Sequence, residues 1–220
     1  MQDLKERQSR LEELVEDLLT EAKKQGASSA EAGVSSDMGL SVNVRLGEVE
    51  TIEHTRDQGL GISVWFGQRK GSSSTSDFSG EAVRDAVRAA CNIARYTNED
   101  PYTGLADREL MATDIPDLDL YHPWNVEVEE AIDLGIECED AARSVDPRIT
   151  NSEGASLNTH SGLQIYGNSH GFVGGYPSSR HSISCAVVGQ EDDSIQRDYW
   201  YSSARSRDKP ESPGLIRKKA

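Results

Sequence analysis

Five histidines and three cysteines are the residues of this chain best equipped for chemistry: His54, His122, His160, His170 and His181, with Cys91, Cys138 and Cys185. None of the histidines is followed by glutamate, so a helical His-Glu-x-x-His zinc motif is absent. His160, His170, His181 and Cys185 fall in one stretch of strands and turns. A zinc hydrolase built on that stretch is one reading, although the spacings match no standard zinc site. Serines are plentiful, yet no Gly-x-Ser-x-Gly elbow marks a strained nucleophile. Cys91 sits on an apolar helical stripe, Cys138 is helical and Cys185 lies in an apolar strand, which reads as three packed thiols. Asp192-Asp193 belongs to a turn, where aspartate is favoured for its local hydrogen bonds. Gly59 and Gly61 open no helix, so they relieve crowding in a strand and cradle no phosphate. No catalytic residue and no metal ligand emerges from these patterns. Two small polar stretches stand apart as candidate contacts with a peptide or another domain: Asn151, Ser152 and Glu153, and Asn168, Ser169 and His170.

The elements that carry these residues can be read from periodicity. Leu4, Leu11, Leu14, Val15, Leu18, Leu19 and Ala22 recur at helical spacing, and Gly26 stops the helix. Alternating runs follow at Ala30–Val34, Met38–Leu46, Val49–Asp57 and Leu60–Phe66, with turns at Gly47-Glu48 and Gly67–Gly71. Ser72–Ser76 can return as an edge strand. A second helix, capped by Asp77 or Ser79, carries Ala82, Val83, Ala86, Val87, Ala90, Ile93 and Ala94 on one stripe. A third is expected over Val126–Arg143 with Asn125 as its cap, and Asp117–Tyr121 as a short docked strand before it. Beyond Asp146-Pro147 the pattern predicts strands at Ala155–Thr159, Leu163–Tyr166, Phe172–Tyr176, Arg180–Val188 and Ile195–Tyr201.

This order predicts an α+β protein. An N-terminal two-layer helix and antiparallel-sheet domain over residues 1–97 is followed by a linker, 98–124. A central α+β domain with an antiparallel meander occupies 125–204, and a basic tail 205–220. The 220 residues carry 23 Lys+Arg against 38 Asp+Glu, a formal charge of −15, which excludes an electrostatic nucleic-acid binder. The same charge disfavours anionic membrane surfaces, and no apolar run reaches the roughly 20 residues that span a bilayer. Three cysteines in separate segments suit a reducing compartment, so a cytoplasmic protein is expected.

Several segments, in order, carry a resemblance: Val42–Glu53 (VNVRLGEVETIE), Gly59–Ser73 (GLGISVWFGQRKGSS), Ile93–Asp100 (IARYTNED), Pro116–Pro123 (PDLDLYHP), Arg148–Gly154 (RITNSEG), Tyr166–Gly171 (YGNSHG) and Arg197–Tyr201 (RDYWY). Over residues 10 to 204 the chain resembles the N-terminal half of PmbA-type members of the TldD/PmbA metallopeptidase family. The resemblance implies a cytoplasmic, non-catalytic subunit that pairs with a TldD-type subunit and helps enclose a chamber where unfolded peptides are cut. Zinc is then expected in the TldD-type partner alone, with no cofactor in this chain. Family members continue past the Arg197–Tyr201 segment, so a fragment ending near a domain junction is expected. The alternative is a stand-alone peptide- or partner-binding regulatory module without peptidase activity.

Overall fold

The computed structural model describes residues 2–207; most of the expected basic tail therefore lies outside the described residues. Three helices, α1 (Gln2–Lys24), α2 (Gly80–Tyr96) and α3 (Val128–Arg143), accompany six strands. These are β1 (Ser29–Arg45), β2 (Glu48–Phe66), β3 (Arg69–Thr75), β4 (Ile149–Asn168), β5 (Val173–Glu191) and β6 (Ser194–Ala204). The strand order is β3-β2-β1-β4-β5-β6. Neighbours run antiparallel, as in Leu60↔Thr75 to Phe66↔Arg69 and His181↔Ala204 to Glu191↔Ser194. The α+β class expected from the pattern is the one observed.

Compactness groups the chain into two units that are interleaved along the sequence. One gathers the described parts of Met1–Asp37, Asp57–Leu118 and Gly162–Pro177; the other gathers Met38–Arg56, Asp119–Ser161 and the residues from Ser178 onward. The interleaving follows from strand length. Breaks expected at residues 35–37, 160–162 and 177–179 do not occur, and β1, β4 and β5 run through them as single strands of 17, 20 and 19 residues. Apolar residues keep one parity throughout (Ala30, Ala32, Val34, then Leu40, Val42, Val44), so a polar interruption never forces the backbone to turn.

In the first unit α1 and α2 pack on one face of the sheet. Val15, Leu18, Val83, Val87, Ala90 and Cys91 meet Ala32, Val34, Leu60, Ile62, Val64, Leu163 and Ile165. Each fully buried Val or Leu contributes roughly 1.5–3 kcal/mol. Ser79 caps α2 by accepting from the Ala82 N–H, and Gly26, at φ 89°, ends the turn after α1. Small residues set the spacing here: a Cβ on Gly71 would lie 2.1 Å from the Ala90 carbonyl oxygen and 2.4 Å from the Ala94 nitrogen.

In the second unit α3 covers Leu40, Val42, Val44, Ala155, Leu157, Ile183, Cys185 and Val187 with Ala131, Cys138 and Ala142. The helix starts at Val128 after Glu127, whose side chain makes no capping bond, so Asn125 is not its cap. Asp117–Tyr121 forms no strand; it is tied down instead by the Ser179 N–H donating to the Leu120 carbonyl at 2.8 Å. The Glu139 side chain, completely buried, accepts from the Leu46 and Gly47 N–H groups at 2.9 Å each and clamps the β1–β2 turn.

Candidate functional site

Strand alternation gives the sheet of the first unit a second face, and its composition is unusual. Opposite the helices, β1 presents Gly33 and Ser35, β2 presents Gly59, Gly61 and Ser63, and β3 presents Ser72 and Ser74. With almost no side chain standing above the backbone, this face is a trough of about 850 Å³. Residues 112–118 run along its edge and contribute Ile115, Pro116 and Leu118. Ile115 is seated by Gly174, where a Cβ would lie 1.9 Å from the Ile115 Cδ1 atom. Met111, just before this segment, is held by the Asn168 amide, which donates to its sulfur at 3.4 Å. Tyr166, Phe172 and Tyr176 form the aromatic wall, with the Tyr166 and Phe172 rings 6.2 Å apart and both tyrosines more than a third exposed.

Charge is sparse in the trough, where Asp114 is the sole ionisable carboxylate among the described lining residues. At an adjoining hollow the Tyr166 hydroxyl donates to Glu31 at 3.2 Å, and Glu31 also faces Lys70 at 3.8 Å. Burial, the largest influence, outweighs a lowering hydrogen bond with Asn168 and, with the Glu31 carboxylate beside it, raises the Tyr166 phenol above its ordinary value. Tyr166 is therefore a hydrogen-bond donor at neutral pH and a poor nucleophile. Ser63 and Ser72 share a 3.0 Å hydroxyl contact, with no imidazole among the described lining residues to activate them. Such a surface suits binding: glycines admit close approach of a backbone, serine hydroxyls and Gln164 offer hydrogen bonds, and aromatic rings offer apolar area.

The two polar stretches singled out in the sequence lie near opposite ends of β4 and in different compact units. Ser152 is buried, donates to the Ala186 carbonyl at 3.1 Å and accepts from the Gly154 N–H at 2.8 Å. Asn151 accepts from the Ser152 N–H, and Glu153 pairs with Arg197 at 2.7 Å, which lowers the Glu153 carboxyl pKa. In the other stretch Asn168 accepts from the His170 N–H at 3.0 Å, and the Ser169 hydroxyl accepts from the Ala30 N–H at 3.1 Å. His170 lines a separate hollow beside α1 together with Ser169.

The proposed zinc cluster is not assembled. His181 is buried, with Nε2 on the His122 carbonyl at 2.9 Å and its ring edge-on to Trp124. Cys185 shares a hydrogen bond with Cys138, which together with burial pushes the Cys185 thiol far up. His170 belongs to the other unit. Among the described residues no group of three His, Cys, Asp or Glu side chains could hold a metal ion, so the donor set does not fit one. Sequence reasoning placed Gly59 and Gly61 within a strand and Ser72–Ser76 at a sheet edge but saw no binding surface in them, because each was read within its own strand. Their signal is that Gly33, Ser35, Gly59, Gly61 and Ser63 all fall on the parity opposite the apolar residues of their own strands.

Comparison with known proteins accords with this fold. The family model described as the PmbA/TldA metallopeptidase central domain matches residues 121–220, and the one for domain 1 of the same group matches 30–94. The metalloprotease PmbA homologue of Haemophilus influenzae is 49% identical over 210 residues, covering 96% of this chain and 46% of that protein. Metalloprotease PmbA of Escherichia coli O157:H7 is 48% identical over 187 residues, covering 85% and 42%. This chain thus spans less than half the length of these relatives. Among solved structures, a modulator-of-DNA-gyrase protein from Bacteroides thetaiotaomicron superposes with a TM-score of 0.86 at 23% identity, over 94% of this chain and 48% of the other. TldE from Thermococcus kodakarensis gives 0.77 at 16% identity, over 94% and 46%. At those identities the likeness shows a common fold. No helix among the described residues is long and apolar enough to cross a membrane.

Proposed function

Because the chain belongs to the PmbA/TldD metallopeptidase family, corresponding to the N-terminal half of a PmbA-type member, we propose that it serves a cytoplasmic protease that cleaves unfolded peptides. In this reading it is the non-catalytic subunit: it pairs with a TldD-type subunit, which carries the zinc, and helps enclose the peptide chamber. The observation that carries the role is the trough of the first unit, with its glycine and serine floor, aromatic wall and lack of an activated nucleophile among the described lining residues. An extended peptide is the ligand whose chemistry it complements. A backbone can lie against glycine, its N–H and C=O groups can meet serine hydroxyls, and its apolar side chains can rest on Tyr166 and Tyr176 without a sequence rule.

The test is filling the trough. A Cβ on Gly61 meets nothing closer than 3.9 Å, so Gly61→Leu is accommodated while its branch occupies the floor. With the full-length protein and a TldD-type subunit, cleavage of an unfolded peptide is expected to show about a tenfold rise in KM at unchanged kcat, equivalent to roughly 1.4 kcal/mol of lost binding. An unchanged KM refutes the trough as the peptide site. Stoichiometric zinc in this chain purified alone refutes the non-catalytic assignment. Because the trough lies wholly within one compact unit, a regulatory module that binds peptide unaided is the second reading. It predicts peptide binding of equal strength with and without the TldD-type subunit.

A further inference from the structure

Two thiols meet inside the second unit and take no part in the chemistry described so far. Cys138 on α3 and Cys185 on β5 are 1% and 2% exposed and belong to the same apolar cluster. Both are free thiols, and they share a side-chain hydrogen bond in which Cys185 donates to the Cys138 sulfur. Small residues bring the helix down onto the strands around them. Ala131, Gly135, Cys138 and Ala142 fall on the buried face of α3, and a Cβ on Gly135 would lie 3.0 Å from the Val44 Cγ2 atom. A disulfide needs Cα atoms within about 7 Å, and how closely packed elements approach depends on the side chains at the contact.

The pair is both enclosed and selective. Its two elements belong to one compact unit, so α3 and the strands beneath it cover the sulfurs whatever lies against the outside of the chain. Cys91 is the sole cysteine of the first unit's core and has no thiol to join.

We propose that Cys138 and Cys185 form a redox site, which hydrogen peroxide closes to a disulfide stapling α3 to β5 and a dithiol reductant reopens. The Cys138 sulfur attacks one peroxide oxygen, the O–O bond breaks, and the leaving hydroxide takes up the proton Cys138 gave up. The Cys185 sulfur then attacks the resulting sulfenic acid at sulfur, the S–O bond breaks, and a second water leaves with the Cys185 proton. The thiols lose two electrons, which reduce one peroxide to two waters. Cys138 reacts first because the thiolate is the nucleophile. The bond from Cys185 outweighs burial and lowers the Cys138 thiol, whereas the same bond and burial raise Cys185. Peroxide is little larger than water and enters through local opening of α3, a helix weakened by Gly135 near its middle. In a reducing compartment such a bond is transient, which suits a sensor more than a scaffold. The site stands without the peptidase reading, since the trough belongs to the first unit.

Treating the native full-length protein with hydrogen peroxide, then unfolding, alkylating and mapping it by mass spectrometry, tests the site. The expected product joins Cys138 to Cys185 with a loss of about 2 Da, leaves Cys91 alkylated as a free thiol, and returns to two thiols with dithiothreitol. In Cys185→Ala, a sulfenic acid on Cys138 should accumulate and be captured by dimedone. In Cys138→Ala, Cys185 should oxidise at least about tenfold more slowly than Cys138 does in the wild type. The mapping uses wild-type protein, so it stays decisive where a variant misfolds. Cys138 and Cys185 that both remain alkylatable after peroxide overturn the proposal, as does a crosslink formed only in denaturant or oxidation of Cys91 at an equal rate.

Discussion

Replacing Glu139 with glutamine tests how the β1–β2 turn is held. The turn places Leu46 at φ 53° and Gly47 at φ 79°. For leucine that left-handed conformation costs roughly 1–2 kcal/mol, so something must over-determine it. The clamp is the Glu139 carboxylate, reaching from α3 with one oxygen on each turn N–H at 2.9 Å. Bonds to a charged acceptor are worth about 1.5–3 kcal/mol each. Leu46 is 48% exposed, so part of the loss is recovered by water. Glutamine keeps the shape and one acceptor but turns an NH₂ donor toward the second N–H. Together these predict a loss of about 2–3 kcal/mol, or roughly 4–12 °C in thermal midpoint at this chain length. Hydrogen exchange should show the Leu46 and Gly47 amides deprotected beyond the global change, while Glu137→Gln, two residues back on the exposed side of α3, stays near the wild type. A Glu139→Gln variant within about 0.5 kcal/mol of wild type, with both turn amides still protected, refutes the clamp.

Gly71→Ala is expected to cost more than about 3 kcal/mol, because its Cβ would collide with the backbone of α2 at Ala90 and Ala94 and no rotamer can relieve that. A chemical denaturation midpoint close to wild type would show that α2 can lift from β3. Asp146 accepts from both the side chain and the backbone N–H of Arg148, which depresses its carboxyl to about 2. A depressed carboxylate stabilises fully above its unfolded value near 3.9 and loses that contribution as pH falls through the folded value. The difference in thermal midpoint between wild type and Asp146→Asn should therefore be constant above pH 5 and vanish toward pH 2, and a pH-independent difference would contradict the assignment.

Some of this protein was legible without its structure. Helices α1 and α2 declare themselves by long apolar stripes with a stop at Gly26 and a cap at Ser79. The hairpins at Gly47 and Gly67 follow from glycine flanked by alternating strands, and the family from ordered segments such as RITNSEG. These are local signals, carried by neighbours in the chain. What the sequence left open depends on residues far apart. His160-Ser161-Gly162 has the composition of a turn but runs straight through β4, because ladder pairing on both sides outweighs local preference. Ser152 and Asn168 resemble ligand contacts, yet their polar atoms are engaged in bonds to Ala186, Gly154, His170 and Met111. The trough exists only when glycines and serines from three strands fall on one face, and its Ile115 edge only when a proline-bearing segment finds the notch at Gly174. Periodicity says which residues of one strand share a face; which strands lie side by side is decided by burial and hydrogen bonding over the whole fold.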